Sequence, residues 1–297
     1  MIPTLLAIIG PSGSGKSDLA LELAQILDAE IVSLDSLSVY QEINIAAAKP
    51  SLENLACIKH YGIDILRIDQ KNNAQVFKQE VQRAIATTTK KKLLLVGGSS
   101  FYLKALIDGL SPMPILNKQQ EQEIQRQIAK IDHPHAFLAR IDSDYASYVK
   151  DTYRITQGLK IYLTTHMPPS AYFKAHPKIP FKYPIQVYGL CMDKTKLHAN
   201  IAKRTKTMLN QGIVEEIKGL ADKYGTKHQP FKAIGPKECL QYLRGELSYQ
   251  ELYEMIYTHT CQLAKRQMTF NRSQFKEAIF LDKEHLKQEI LKQLSVF

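Results

Sequence analysis

The chain has 297 residues, 44% hydrophobic and 23% charged, ordinary globular figures that exclude disorder and fibrous repeats. Its longest apolar runs fall far short of the roughly 20 residues that span a bilayer, so a soluble chain is expected. The net charge of +10 is uneven: residues 1–110 hold 11 basic and 11 acidic side chains, whereas residues 111–297 hold 28 against 18. A neutral first part and a basic remainder point to a small-ligand core joined to a polyanion-binding surface, the alternative being a generally basic proteome.

Met1-Ile2-Pro3-Thr4 has no basic leader, so neither signal nor transit peptide is expected and the location expected is cytoplasmic. Thr4–Ile9 reads as a buried strand running into Gly10-Pro11-Ser12-Gly13-Ser14-Gly15-Lys16-Ser17. Leu19, Leu23, Ile26 and Leu27 then recur at helical spacing. Residues 30–34 read as a second strand with Asp35 at its C-terminal end, and further strand and helix signals follow at 62–66, 74–87, 92–96 and 101–107. This alternation predicts an α/β, three-layer P-loop fold with a parallel sheet core.

From about Asn117 the composition turns to Gln, Glu, Lys and Arg, with Ile124, Ile128 and Ile131 at helical spacing. Residues 113–184 read as a helical insertion domain, and 1–112 with 185–297 as the core. Five prolines make 166–184 an irregular connector. Residues 185–191 return to the sheet, helices follow at 194–210 and near 249–270, and 278–281 is a short last strand. Cys57, Cys191, Cys239 and Cys261 form no C-x-x-C pair, so buried thiols and no metal cluster are expected.

Gly10–Ser17 fits G-x-x-x-x-G-K-[ST] between a strand and a helix, the context in which backbone N–H groups cradle phosphates, Lys16 neutralises charge and Ser17 reaches Mg²⁺. Most such loops belong to NTPases or kinases. An ATPase, however, places a carboxylate after a later apolar strand, and here 92–96 runs into Gly97-Gly98-Ser99-Ser100. Asp35, one strand from the loop, is placed to act as a base, though Asp35-Ser36 equally suits a turn or cap. Ser99 is either a hydroxyl donor to a leaving oxygen or an ordinary turn residue.

The loop, Asp35-Ser36, Val39-Tyr40, Ala48-Lys49-Pro50, Gly97-Gly98-Ser99 with Tyr102, Ala233-Ile234-Gly235 with Lys237-Glu238, and Ala264-Lys265-Arg266-Gln267 with Thr269 occur in one order along nearly the whole chain. Together they resemble the tRNA dimethylallyltransferases, also called tRNA isopentenyltransferases. The resemblance implies transfer of a dimethylallyl group from dimethylallyl diphosphate to N6 of adenosine at tRNA position 37, with the loop holding the diphosphate. It implies Asp35 as base, Ser99 (usually threonine) at the bridging oxygen, and Lys16, Mg²⁺ held through Ser17, and Arg204 ahead of Met208 on the leaving group.

The RNA contacts implied are Asp35, Ser36, Leu37 and Ser38; Tyr153, Arg154, Ile155, Thr156 and Gln157; Ala233, Ile234, Gly235, Pro236, Lys237 and Glu238; and Lys265, Arg266, Gln267, Met268, Thr269, Phe270, Asn271 and Arg272. The last run interleaves cations with an aromatic, as phosphate contact plus stacking requires, or is simply a solvated helix end. The insertion would clasp the anticodon arm, and a monomer is expected. Competing readings are a prenyltransferase acting on free adenine nucleotide, a P-loop small-molecule kinase and a non-catalytic RNA-binding module.

Overall fold

The computed structural model describes residues 2–295; Met1, Val296 and Phe297, at the ends of the expected core domain, lie outside the described residues. Two compact units are present. The first takes in the chain up to Ile107 and from Lys182 on; the second is Asp108–Phe181.

The first unit opens with β1 (Thr4–Ile9), α1 (Lys16–Leu27), β2 (Glu30–Ser33), α2 (Leu52–Cys57), β3 (His60–Tyr61), α3 (Ala74–Thr87), β4 (Lys92–Gly97) and α4 (Ser100–Asp108). The second unit is helical: α5 (Lys118–Ala129), α6 (Pro134–Ile141), α7 (Ser143–Tyr148), α8 (Thr152–Thr165) and α9 (Pro169–Ala175). The chain then returns through β5 (Ile185–Leu190), α10 (Lys194–Asn210), α11 (Ile213–Tyr224), α12 (Pro236–Leu243), α13 (Tyr249–Gln274), β6 (Ile279–Leu281) and α14 (Lys283–Ser295).

The six strands form one parallel sheet in the order β3-β2-β4-β1-β5-β6. β1 and β4 lie at its centre and read as continuous apolar runs because helices cover both faces. Leu6, Ile8, Leu94 and Val96 pack with Leu19, Leu23 and Ala24 of α1 and with Leu286 and Ile290 of α14. A second core joins Val39, Tyr40 and Ile43 to Ile213, Ile217 and Leu220 of α11 and to Leu252 and Ile256 of α13.

The helical unit has its own core of Ile124, Ile128, Leu138, Tyr145, Val149, Ile155 and Leu159. Its first helix starts where the composition shifts, because Asn117 and Gln120 form a reciprocal capping box.

Three sequence expectations are corrected. Residues 62–64 are a bend, since Gly62 (φ 75°) and Asp64 (φ 57°) are left-handed, and Leu66 keeps only an isolated parallel bridge to Tyr40; the regular strand is the preceding His60–Tyr61. The proline-rich connector contains α9, where Pro169 sits in the first turn and its missing N–H costs no hydrogen bond. The four cysteines are free, but only Cys239 is buried, while Cys57 is exposed on a helix with no buried residue.

Candidate active site

Strand register brings the site together. Ile9, the last residue of β1, pairs with Gly97 of β4, and Ser33 of β2 pairs with Val96. The ladder continues past the strands: Leu34 N–H donates to the Val96 carbonyl (2.7 Å), and Ser99 N–H donates to the Leu34 carbonyl (3.1 Å). The glycine loop after β1, Asp35 after β2 and Ser99 after β4 therefore share one carboxyl edge of the sheet, where parallel α/β folds bind ligands.

The loop from Gly10 to Ser17 curls into the start of α1. Gly13 has φ 83°, and a Cβ there would also press on Ile201 of α10, so glycine is required on two counts. The Asn200 side-chain amide donates to the Gly13 carbonyl (3.0 Å), tying α10 to the loop. Lys16 is buried, and its ammonium donates to the Pro11 carbonyl (2.6 Å). Burial, reinforced by the nearby Arg204 guanidinium and opposed by Asp35, pushes the Lys16 pKa down to about 7. Arg204, half-buried on α10, is itself held below its usual range by burial, again with Asp35 opposing.

Asp35 performs the turn role and lines both cavities of the site. Its Oδ1 accepts the Leu37 N–H (2.8 Å) and the Ser38 N–H (3.0 Å). Both bonds fall on one oxygen and hold the carboxylate in place. The buried Ser38 hydroxyl lies 2.8 Å from that of Ser33, and Ser36 is exposed.

Two cavities meet here. One of about 110 Å³ is lined by Lys16, Ser17, Asp35 and Lys49. The other, about 540 Å³, is lined by Ser99, Ala46, Met208, Ile256, Leu263 and Phe270 among others. Ser12, Asp35, Ala47, Gly98 and Arg204 line both, so the carboxylate and the guanidinium stand in the shared wall. Lys49 is used structurally, its ammonium donating to the Tyr40 carbonyl (2.8 Å) and the Asn44 side chain (3.0 Å).

The oxygen donors suit a hard divalent cation bound beside a diphosphate. Ser17 is exposed at the first turn of α1 and shares the smaller cavity with Asp35. Among the described residues no cluster of three His, Cys, Asp or Glu could cage a metal. Mg²⁺ needs no such cage, since it keeps several waters and binds through one or two protein oxygens plus phosphates.

The segments read as RNA contacts divide by helix face. On α13, Lys265, Arg266, Thr269 and Arg272 are exposed, whereas Ala264 and Asn271 are buried and Gln267, Met268 and Phe270 half-buried. Gln267 spends its carboxamide inside the protein, accepting the Ser12 N–H (2.8 Å) and donating to the Gly98 carbonyl (2.9 Å).

In the loop entering α12, Lys237 is exposed and Ala233 and Ile234 half-buried, while Gly235, Pro236 and Glu238 are buried. Glu238 accepts the Gly235 N–H (2.7 Å) and lies 2.8 Å from His259 Nδ1. In the helical unit Tyr153 and Arg154 are exposed, Thr156 and Gln157 half-buried, and Ile155 belongs to that unit's core. The inward role of Gln267 is foreshadowed by the helical spacing of Ala264, Gln267, Met268 and Asn271; nothing in the sequence marks Asn200.

Residues 38–274 match the family model described as IPP transferase. The chain is 51% identical to a tRNA dimethylallyltransferase of Helicobacter pylori (strain J99), covering 97% of this chain and 93% of that one. Among solved structures it resembles a tRNA delta(2)-isopentenylpyrophosphate transferase from Staphylococcus epidermidis (TM-score 0.67, 28% identity, 99% of each chain). It also resembles a eukaryotic dimethylallyltransferase acting on tRNA (TM-score 0.79, 27% identity, 95% of this chain and 74% of that one).

Proposed function

The chain belongs to the IPP transferase family, and on that premise we propose that it is a tRNA dimethylallyltransferase. It moves the dimethylallyl group of dimethylallyl diphosphate to N6 of adenosine 37, beside the anticodon, giving N6-isopentenyladenosine and diphosphate. The observation that carries this reading is the shared wall: a phosphate-loop cavity joined, through Asp35 and Arg204, to a larger and mostly apolar one. A phosphate loop built only for ATP has no need of that apolar neighbour.

In the reaction the bond between the allylic carbon and the bridging oxygen breaks, and the carbon bonds to N6. One N6 proton passes to Asp35, whose carboxylate is held by two backbone N–H groups and faces the shared wall. Negative charge gathers on the departing diphosphate, so stabilising it contributes most. Lys16, Arg204 and the N–H groups at the start of α1 supply that stabilisation, and the Ser99 hydroxyl meets the bridging oxygen. Ser17 would hold Mg²⁺ against the diphosphate, adding Lewis-acid charge there.

The acceptor base must leave its stack to enter the larger cavity. The exposed cations of α13 are placed to grip the adjoining backbone phosphates. All residues used come from one chain, so a monomer suffices. A tRNA substrate supports a cytoplasmic site of action. None of the described helices is long and apolar enough to cross a membrane.

The test is incubation with labelled dimethylallyl diphosphate, Mg²⁺ and unmodified tRNA bearing adenosine 37. Label should appear in the RNA as N6-isopentenyladenosine. Label in free AMP alone, or ATP consumption without transfer, would overturn the reading.

A further inference from the structure

We propose that Gln267 is a positioning residue for leaving-group departure, a strap from α13 to two loops of the site. The inference rests on the reaction proposed above. Oε1 of its carboxamide takes the Ser12 N–H (2.8 Å) and Nε2 donates to the Gly98 carbonyl (2.9 Å). Those two backbone groups belong to the phosphate loop and to the turn that presents Ser99. The β1–β4 ladder ends at Ile9 and Gly97, and beyond it the Gln267 side chain ties the two loops together.

A second feature of the same contact points the same way. Gly98 is outside the left-handed region, so its backbone conformation does not require glycine. A Cβ there would instead run into the Gln267 amide, and the amide and carboxamide atoms of Gln267 supply all three of the nearest neighbours it would meet. A Cβ at residue 98 would therefore displace this carboxamide, the flexible end of its side chain, from the two loops. The neighbours of Gln267 on α13 complete the picture. Lys265 is exposed and lies off the cavity, Arg266 is exposed at the wall of the larger cavity, and Gln267 turns its carboxamide inward to the two loops.

The physical consequence follows from preorganisation. The Gly98 carbonyl and the Ser99 N–H share one peptide, so the bond from Gln267 and the bond to the Leu34 carbonyl together hold the approach of Ser99; fixing the Ser12 amide holds the rim of the phosphate loop. Donors aimed at a departing diphosphate stabilise it only if they are already in place, and a misplacement on the order of 1 Å costs roughly a hundredfold in rate. Gln267 therefore acts on kcat, and not on the affinity for tRNA.

The experiment compares wild type, Gln267→Ala, Gly98→Ala and the double variant in single-turnover transfer from dimethylallyl diphosphate, with tRNA affinity measured separately. Transfer by the wild type tests the proposed reaction itself, so a loss confined to the variants concerns Gln267 alone. Each single variant should lose about tenfold or more in kcat, with tRNA Kd within about twofold of wild type. The double variant should be no slower than Gln267→Ala, because the added methyl then fills vacated space.

Gln267→Met, which keeps the side-chain volume and removes both hydrogen bonds, should show the same kcat loss and guards against a packing defect. A weakened tRNA Kd with kcat intact would make Gln267 an RNA contact and overturn the inference. So would losses that multiply in the double variant, or wild-type kcat in Gln267→Met.

Discussion

Glu216 of α11 accepts the Ala46 N–H on Oε1 at 3.0 Å, and its Oε2 takes the N–H groups of Asn44 and Ile45, each at 2.8 Å. One carboxylate thus organises the turn that carries Ala46 and Ala47 into the wall of the larger cavity. Glu216→Gln replaces one acceptor oxygen by an NH₂ group facing an N–H donor. A loss of about 1–3 kcal/mol in stability is expected from unsatisfied charge-assisted bonds. Thermal or denaturant unfolding measures it, and the KM for the prenyl donor should rise with little change in tRNA affinity.

Asp35→Asn keeps an acceptor for the Leu37 and Ser38 N–H groups and removes the base. The fold and the turn should survive, tRNA binding should stay within about twofold, and transfer should slow by roughly 10²- to 10⁴-fold, the usual worth of a positioned base. Single-turnover rates decide this; an unchanged rate removes Asp35 from the proton-transfer role.

The depressed pKa of Lys16, about 7 in the absence of ligand, makes donor binding pH-dependent. A diphosphate favours the ammonium form, so the pKa rises on binding and the complex takes up a proton above pH 7. Affinity should therefore fall as pH rises from about 7 toward 9, by at most tenfold per unit. Lys16→Met carries only the titration of the ligand itself. The difference between the two proteins, read by calorimetry in buffers of different ionisation enthalpy, should vanish below pH 7, where Lys16 is already protonated.

Lys265 and Arg272 lie on the solvent face of α13. Replacing either by alanine should weaken tRNA binding and lower the slope of log K against log salt by about 0.7 to 0.9, one phosphate contact. Diphosphate affinity should not change. An unaltered salt slope in both variants would place the RNA on another surface.

Much of this was legible because local rules act over a few residues. The glycine spacing of the loop and the apolar runs of β1 and β4 each act within a turn or a strand. The helices at Ala74–Thr87 and Lys194–Asn210 have the bounds that hydrophobic spacing predicts. Reading failed where a local preference competes with backbone geometry, at the left-handed pair Gly62 and Asp64 and at the helix begun by Pro169.

By itself, the sequence determined a parallel α/β core, a phosphate loop and an acid at the end of the next strand along the chain, since periodicity and motif spacing encode these directly. Tertiary structure decided how long-range groups reach the site. Asn200, unmarked in the sequence, and Arg204, named there only through the resemblance, reach it because α10 packs on α13 through Leu197, Ile201 and Ala264. Gln267, within a run that reads as RNA-binding, turns inward to Ser12 and Gly98 because the helical period puts it on the face of the buried Ala264 and Asn271. Pairings across such distances along the chain depend on how the elements pack, which no short window of sequence contains.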